Sequence, residues 1–234
     1  MKIQLNNNVH CSCCNSDIPK KEWNTYNPDY TLTSDLMVKT LNIGIDDSLN
    51  FLPICPRCGL VELPTGGKIS YQEYAEIARD RVAHPIYQQV VNSDLPLLYK
   101  KFRLAAALAS DLDLGNPWFF AYLLIKLADI IEVYDLDNLD IVDLKFRVCL
   151  AKASITLQDY INNSIEEIED SDYASFIIIM IDNYRRAQLL TDANTLIEFI
   201  RTPPRKPNEA TINMINNEEN WIKSNDFTKH EFLY

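Results

Sequence analysis

Six cysteines define the chemistry open to this 234-residue chain, and five fall into two clusters, Cys11-Ser12-Cys13-Cys14 and Cys55-Pro56-Arg57-Cys58-Gly59. Two cysteines three apart in a tight turn direct both sulfurs at one point while backbone amides donate to them. Two such turns make the tetrahedral thiolate set that zinc prefers, with Zn–S near 2.3 Å. Pro56 stiffens the second turn, and Gly59 supplies the positive φ that such a turn needs. The spacing therefore predicts a structural zinc site of Cys11, Cys14, Cys55 and Cys58. Zinc is favoured over an iron–sulfur cluster because no further cysteines stand at cluster spacing. The alternatives are reduced, metal-free thiol pairs or a redox dithiol. Cys13, adjacent to Cys14, is poorly placed to share one ion with it, and His10 is the other substitute ligand. Cys149, amid Phe146, Val148 and Leu150, reads as a core thiol.

A four-thiolate site leaves no open position for water, so it builds structure and does not by itself suggest catalysis. No other catalytic constellation stands out. Gly66-Gly67-Lys68 lacks the earlier glycine and following hydroxyl of a phosphate loop and reads as a hairpin turn. His10, His84 and His230 are scattered. Asp140 and Asp143, at helical spacing, read as solvent-facing. Trp23, Tyr26, Tyr30 and Trp118-Phe119-Phe120 could stack on bases or peptides, but they serve more simply as core.

The elements that must position the cysteines lie in the first 68 residues, which are rich in Asn, Pro and short apolar runs. Tyr30–Thr33 and Leu60–Leu63 read as short strands, and small β-hairpins around a metal are expected. From Ile69 the pattern is helical. Ser70 with Glu73 forms a capping box, and Pro85 ends that helix and starts a short one. A long helix covers Leu97 to Leu112. Asn116-Pro117 opens another running to about Glu132. Further helices are expected over about Leu139–Ile161, Asp172–Leu190, Thr191 or Asp192 to Arg201, and Asn208–Lys223. Pro203-Pro204-Arg205-Lys206-Pro207 reads as an extended connector. Small residues at Ala105, Ala106, Ala109, Ala187 and Ala193 would let neighbouring helices approach closely, the large-and-small alternation that tetratricopeptide (TPR) solenoids use. The reading is a mainly α protein: a zinc-ribbon-like β module over 1–68, then an antiparallel TPR-like helical array over 69–234, a degenerate solenoid or a plain bundle because no repeat of about 34 residues aligns.

Charge narrows the function classes. The net charge is −11. Residues 1–68 carry six basic and seven acidic side chains, so nearly all of the excess lies beyond them. Such a balance opposes a broad nucleic-acid surface. Acidity concentrates at Glu132, Asp135, Asp137, Asp140 and Asp143, and again at Glu166, Glu167, Glu169, Asp170 and Asp172, either as solvated helix ends or as docking for a partner. The most apolar run, Phe176–Ile181, is about a third of the length a membrane span requires. With no apolar core in Met1–His10, a cytoplasmic chain without membrane contact is expected. The leading expectation is a non-enzymatic adaptor or scaffold that offers an acidic helical face to a protein partner. The alternative is a regulator touching DNA or RNA through Lys20, Lys21, Lys39 and Arg57 of the ribbon.

Several segments in order resemble a known family: the Cys55–Gly59 turn, the helix Leu98–Ala106, Asn116–Leu124, and Met180–Arg186 leading into Ala193 and Ile197–Phe199. The order is similar to the uncharacterised bacterial family DUF2225, a zinc ribbon fused to TPR-like helices, over nearly the whole chain. The first turn departs from that family's Cys-Pro-x-Cys-Gly by having Ser12, Cys13 and Asn15. The resemblance implies zinc binding and protein interaction and supplies no reaction.

Overall fold

A computed structural model describes residues 9–18, 52–63, 69–112, 117–164, 168–201, 207–228 and 230. Among them are eight helices and one two-stranded hairpin. The chain divides into two compact units between residues 112 and 117, so the first three helices belong with the cysteine turns. The change of pattern near residue 68 marks where turns give way to helix, within the first unit.

In that unit β1 (Val9–His10) pairs antiparallel with β2 (Asp17–Ile18), Val9 opposite Ile18. Leu60–Leu63, read as a strand, contributes a single bridge, Ile54 to Val61. Three helices follow: α1 (Tyr71–Ala83), α2 (Pro85–Val91) and α3 (Leu97–Leu112). Ser70 caps α1, its hydroxyl accepting from the Glu73 N–H at 3.2 Å. Pro85, which has no N–H to give α1, opens α2 instead, and His84 between them caps it by accepting from Ile86 N–H at 3.3 Å. α1 turns Tyr74, Ala75, Ala78 and Val82 inward, and Arg81 makes a two-pronged ion pair with Asp111 of α3.

The second unit holds α4 (Pro117–Val133), α5 (Phe146–Ser164), α6 (Asp170–Arg186), α7 (Leu190–Arg201) and α8 (Glu209–Lys223). From Trp118 to Ile131 every residue of α4 but Phe120 is buried, as an all-round apolar helix requires. α4 packs on α5, α5 on α6, and α6 on both α7 and α8. Trp118 meets Phe176 edge-on at 3.9 Å between centroids, with Tyr160 completing the cluster. Ala187 and Ala193 are buried where α6 turns into α7.

Two boundaries differ from the sequence reading. α5 begins at Phe146 rather than Leu139, because Asp137 accepts the Phe146 N–H at 2.7 Å and Lys145 Nζ donates to the Asp137 and Leu139 carbonyls. That capped loop also buries Leu136 and Val142. α6 starts at Asp170 and stops at Arg186. Gln188 takes φ +61°, and Leu189 N–H returns to the Tyr184 carbonyl at 2.8 Å. The expected strand Tyr30–Thr33, the Gly66-Gly67 turn and the Pro203–Lys206 part of the connector lie outside the described residues.

Candidate metal centre

The two cysteine turns are built alike. In the first, Cys11 N–H donates to the Ser16 carbonyl at 2.9 Å and Asn15 N–H returns to the Cys11 carbonyl at 2.8 Å. In the second, Cys55 N–H donates to Leu60 at 2.7 Å and Gly59 N–H to Cys55 at 2.9 Å. The residue after the second cysteine is left-handed in both, Asn15 at φ +56° and Gly59 at φ +76°. Asparagine is among the few side chains that tolerate that region, so the missing glycine does not break the first turn.

The turns bring Cys11, Cys14, Cys55 and Cys58 together, all four sulfurs within 4.8 Å of one another. Cys11 Sγ lies 3.5 Å from Cys58 Sγ, and Cys14 Sγ 3.6 Å from Cys55 Sγ. A tetrahedron with arms of about 2.3 Å has edges of about 3.8 Å. These separations fit ligands around one ion and are far from a disulfide's ~2.05 Å. All six cysteines are free thiols.

Donors aim at the sulfurs in a repeated pattern. The N–H groups of Cys13 and Cys14 face the Cys11 sulfur, and those of Arg57 and Cys58 face Cys55. Ser16 N–H faces Cys14 and Leu60 N–H faces Cys58. Convergent donors suit thiolates, which is the form that ligates a metal. The thiols themselves are pulled in opposite directions. Burial pushes Cys11 up to about 12 and raises Cys58 further. The Ser16 hydroxyl, 2.9 Å away, holds Cys14 down to about 6. Burial also acts upward on Cys55, but Ser16 and its two backbone donors outweigh it and leave that thiol below its ordinary value. A divalent cation between the four sulfurs would favour the ionised form of all of them.

Surrounding residues lock the turns in place. Glu62 accepts from Ser12 N–H at 2.7 Å and Ser12 Oγ–H at 3.0 Å, tying the first turn to the second. Tyr87 of α2 donates to the Gly59 carbonyl at 3.2 Å and accepts from Val61 N–H at 3.3 Å, while Tyr74 of α1 accepts from Leu63 N–H at 3.0 Å. A Cβ on Gly59 would fall 2.6 Å from a Val91 methyl, so α2 rests directly on this turn.

The other candidates fall elsewhere. Cys13 is partly exposed beside the four, and His10 is an exposed residue 2.9 Å from Asp17. Cys149 is fully buried on α5, as read. His84 sits at a helix junction, and His230 stacks on Trp221 at 3.9 Å. Of the first acidic group, Glu132 pairs with Arg186, while Asp137 and Asp143 accept backbone N–H groups. Asp135 and Asp140 are exposed. Asp170 and Asp172 occupy the first turn of α6, where the helix dipole favours them. Glu166, Glu167, Lys20, Lys21, Lys39, Trp23, Tyr26 and Tyr30 lie outside the described residues.

A buried ion network in the second unit escaped the sequence reading. Arg185 and Arg186 are almost wholly enclosed. Arg185 pairs with Asp182 and with Glu218 at 2.8 Å and donates to the carbonyls of Asp226 and Thr228. Arg186 holds Asp129 and Glu132, each at 3.0 Å. Beside it opens a cleft of about 760 Å³ lined by Glu132, Asp137, Phe146, Arg147, Arg186 and Phe227 among others. The available signal was an arginine pair following the apolar Phe176–Ile181 run, with Asp182 one turn back. No helix among the described residues is long and apolar enough to cross a membrane. Comparison with family models, curated proteins and solved structures finds no match to this chain.

Proposed function

We propose that this chain is a non-enzymatic interaction protein in which a structural zinc ion, held by Cys11, Cys14, Cys55 and Cys58, fastens a zinc-ribbon-like module. The observation that carries the reading is the closed four-sulfur set with backbone donors on every sulfur. Zinc there would supply cross-linking of two distant chain segments, and no ligand position remains for chemistry. The sequential packing of α4 through α8 supports a TPR-like array in a protein that works in the cytoplasm, and the DUF2225 likeness belongs to the same reading. Asp135 and Asp140 stay exposed on the loop that also supplies Asp137 to the cleft, which suits a basic or amphipathic protein segment. Rim charges of that kind set association rate and specificity more than raw affinity.

The test has two arms. Elemental analysis of the full chain is expected to give close to one zinc per molecule, lost when Cys55 and Cys58 are replaced by serine. A partner recovered with the wild-type chain is expected to be lost with Asp135→Asn/Asp140→Lys, in which asparagine keeps the left-handed φ of +50° at residue 135. Metal-free protein with intact protected amides around the turns would overturn the first arm. Retention of the partner by the charge-altered chain would overturn the second. Nucleic-acid binding with a steep salt dependence, removed by changing the exposed Arg57, would favour the regulator reading instead.

A further inference from the structure

A four-thiolate zinc centre carries more negative charge on its sulfurs than the ion cancels. Donors aimed at each sulfur therefore decide how nucleophilic that sulfur remains. The two turns supply backbone donors in matching positions: two N–H groups to the first cysteine and one to the second. The match breaks five residues beyond the first ligand, at Ser16 in one turn and Leu60 in the other. Ser16 Oγ lies 2.9 Å from Cys14 Sγ and 3.3 Å from Cys55 Sγ. Leu60 is apolar and fully buried, so Cys58 receives its single N–H and nothing more from that position. Cys14 and Cys58 are both partly exposed, whereas Cys11 and Cys55 are buried; burial weighs more on Cys58 than on Cys14, so access alone would favour Cys14 and a faster Cys58 isolates the donor.

Resting on the zinc-ligand reading above, we propose that the Ser16 hydroxyl is a positioning donor that shields Cys14 and leaves Cys58 as the ligand through which electrophiles open the centre. Attack on a soft electrophile at Cys58 forms a C–S bond as the leaving group departs with its electron pair. The resulting thioether is neutral and binds zinc weakly, so one such event opens the site.

The experiment uses the zinc-loaded full chain carrying Cys13→Ala, which removes the competing non-ligand thiol and leaves no hydroxyl in its place beside Cys58. Limiting iodoacetamide is added and the modified cysteines are mapped by mass spectrometry. A hydrogen bond to a charged group is commonly worth enough to change a rate about tenfold. Cys58 is therefore expected to label about tenfold faster than Cys14. Ser16→Ala should bring that ratio close to one, while Ser16→Thr, which keeps the hydroxyl, should preserve it. Equal labelling of Cys14 and Cys58 in the parent chain, or a ratio that Ser16→Ala leaves unchanged, would overturn the proposal. Zinc content is measured on the same samples. A chain that holds no zinc defeats the metal reading and this proposal together, whereas a full zinc complement with a flat ratio defeats the role of Ser16 alone.

Discussion

Asn15 and Gly59 do one job with two side chains, and the difference between them is a packing fact rather than a conformational one. Each returns its own N–H to the first cysteine's carbonyl, and its left-handed φ lets the next N–H face the second cysteine's sulfur. Asn15 is exposed, so a side chain is harmless there. At Gly59 the Val91 methyls occupy the place a Cβ would take. Gly59→Ala is therefore expected to cost about 2 kcal/mol or more, combining an unfavourable φ with a clash. Asn15→Gly should stay within about 0.5 kcal/mol of the parent. Val91→Ala placed in the Gly59→Ala background should recover the clash and leave the conformational cost, an interaction that a double-mutant cycle of denaturation midpoints reads directly. Strict additivity of the two changes would show that α2 does not bear on the turn.

Between elements, the same balance of polar groups decides how α8 meets α6. Arg185 satisfies its guanidinium on Glu218 of α8, Asp182 of α6, and the carbonyls of Asp226 and Thr228 beyond α8, with Trp221 against its face at 5.1 Å. Glu218 is fully enclosed, and its Oε1 has no hydrogen-bond partner among the described residues. Burial first, and the Asp182 carboxylate second, outweigh the attraction of Arg185 and raise the Glu218 carboxyl to about 8. Between its ordinary value and about 8 the folded chain thus holds a proton that the unfolded chain has released, so this group's contribution to stability falls as pH rises through that window. Below the window the contribution is flat. Glu218→Gln should remove the slope, by up to about 1.4 kcal/mol per pH unit. Chemical denaturation from pH 5 to pH 9 compares the two chains, and parallel pH profiles would show that Glu218 is ionised throughout. Helices such as α1 to α4 were legible in the sequence because proline, serine caps and apolar spacing are local signals. The four metal-ligand candidates were legible because cysteine pairs at that spacing have few other uses. What was hidden depends on distant partners: the loop before α5, set by Asp137 and Lys145, the burial of Arg185 and Arg186, and the bond from Ser16 to Cys55. Nothing near residue 185 announces that Glu218 will meet it.

For the whole molecule, the decisive point is which helices depend on the metal. A boundary read from the change of pattern near residue 68 would have every helix survive removal of zinc. The compact units divide beyond residue 112, and the bonds from Tyr74 and Tyr87 to the second cysteine turn give that division a physical basis. If the turn opens, Tyr87 loses both partners and Tyr74 loses its own, leaving buried hydroxyls unsatisfied beneath α1 and α2, each of which costs about 1–3 kcal/mol. Leu60, Val61 and Leu63 of the turn segment are buried as well, so opening it also strips apolar cover from beside those tyrosines. The second unit carries its own aromatic cluster and its own ion network, neither of which touches a cysteine ligand. Chelation of the full chain should therefore abolish hydrogen-exchange protection across 71–112 as well as the cysteine turns, while amides of 117–223 keep theirs. A heat scan should correspondingly show one transition that shifts with free zinc and one that does not. Persistence of protection in α1 and α2 after complete metal removal would return the boundary to residue 68. Loss of protection throughout 117–223 would mean that the second unit does not stand without the first.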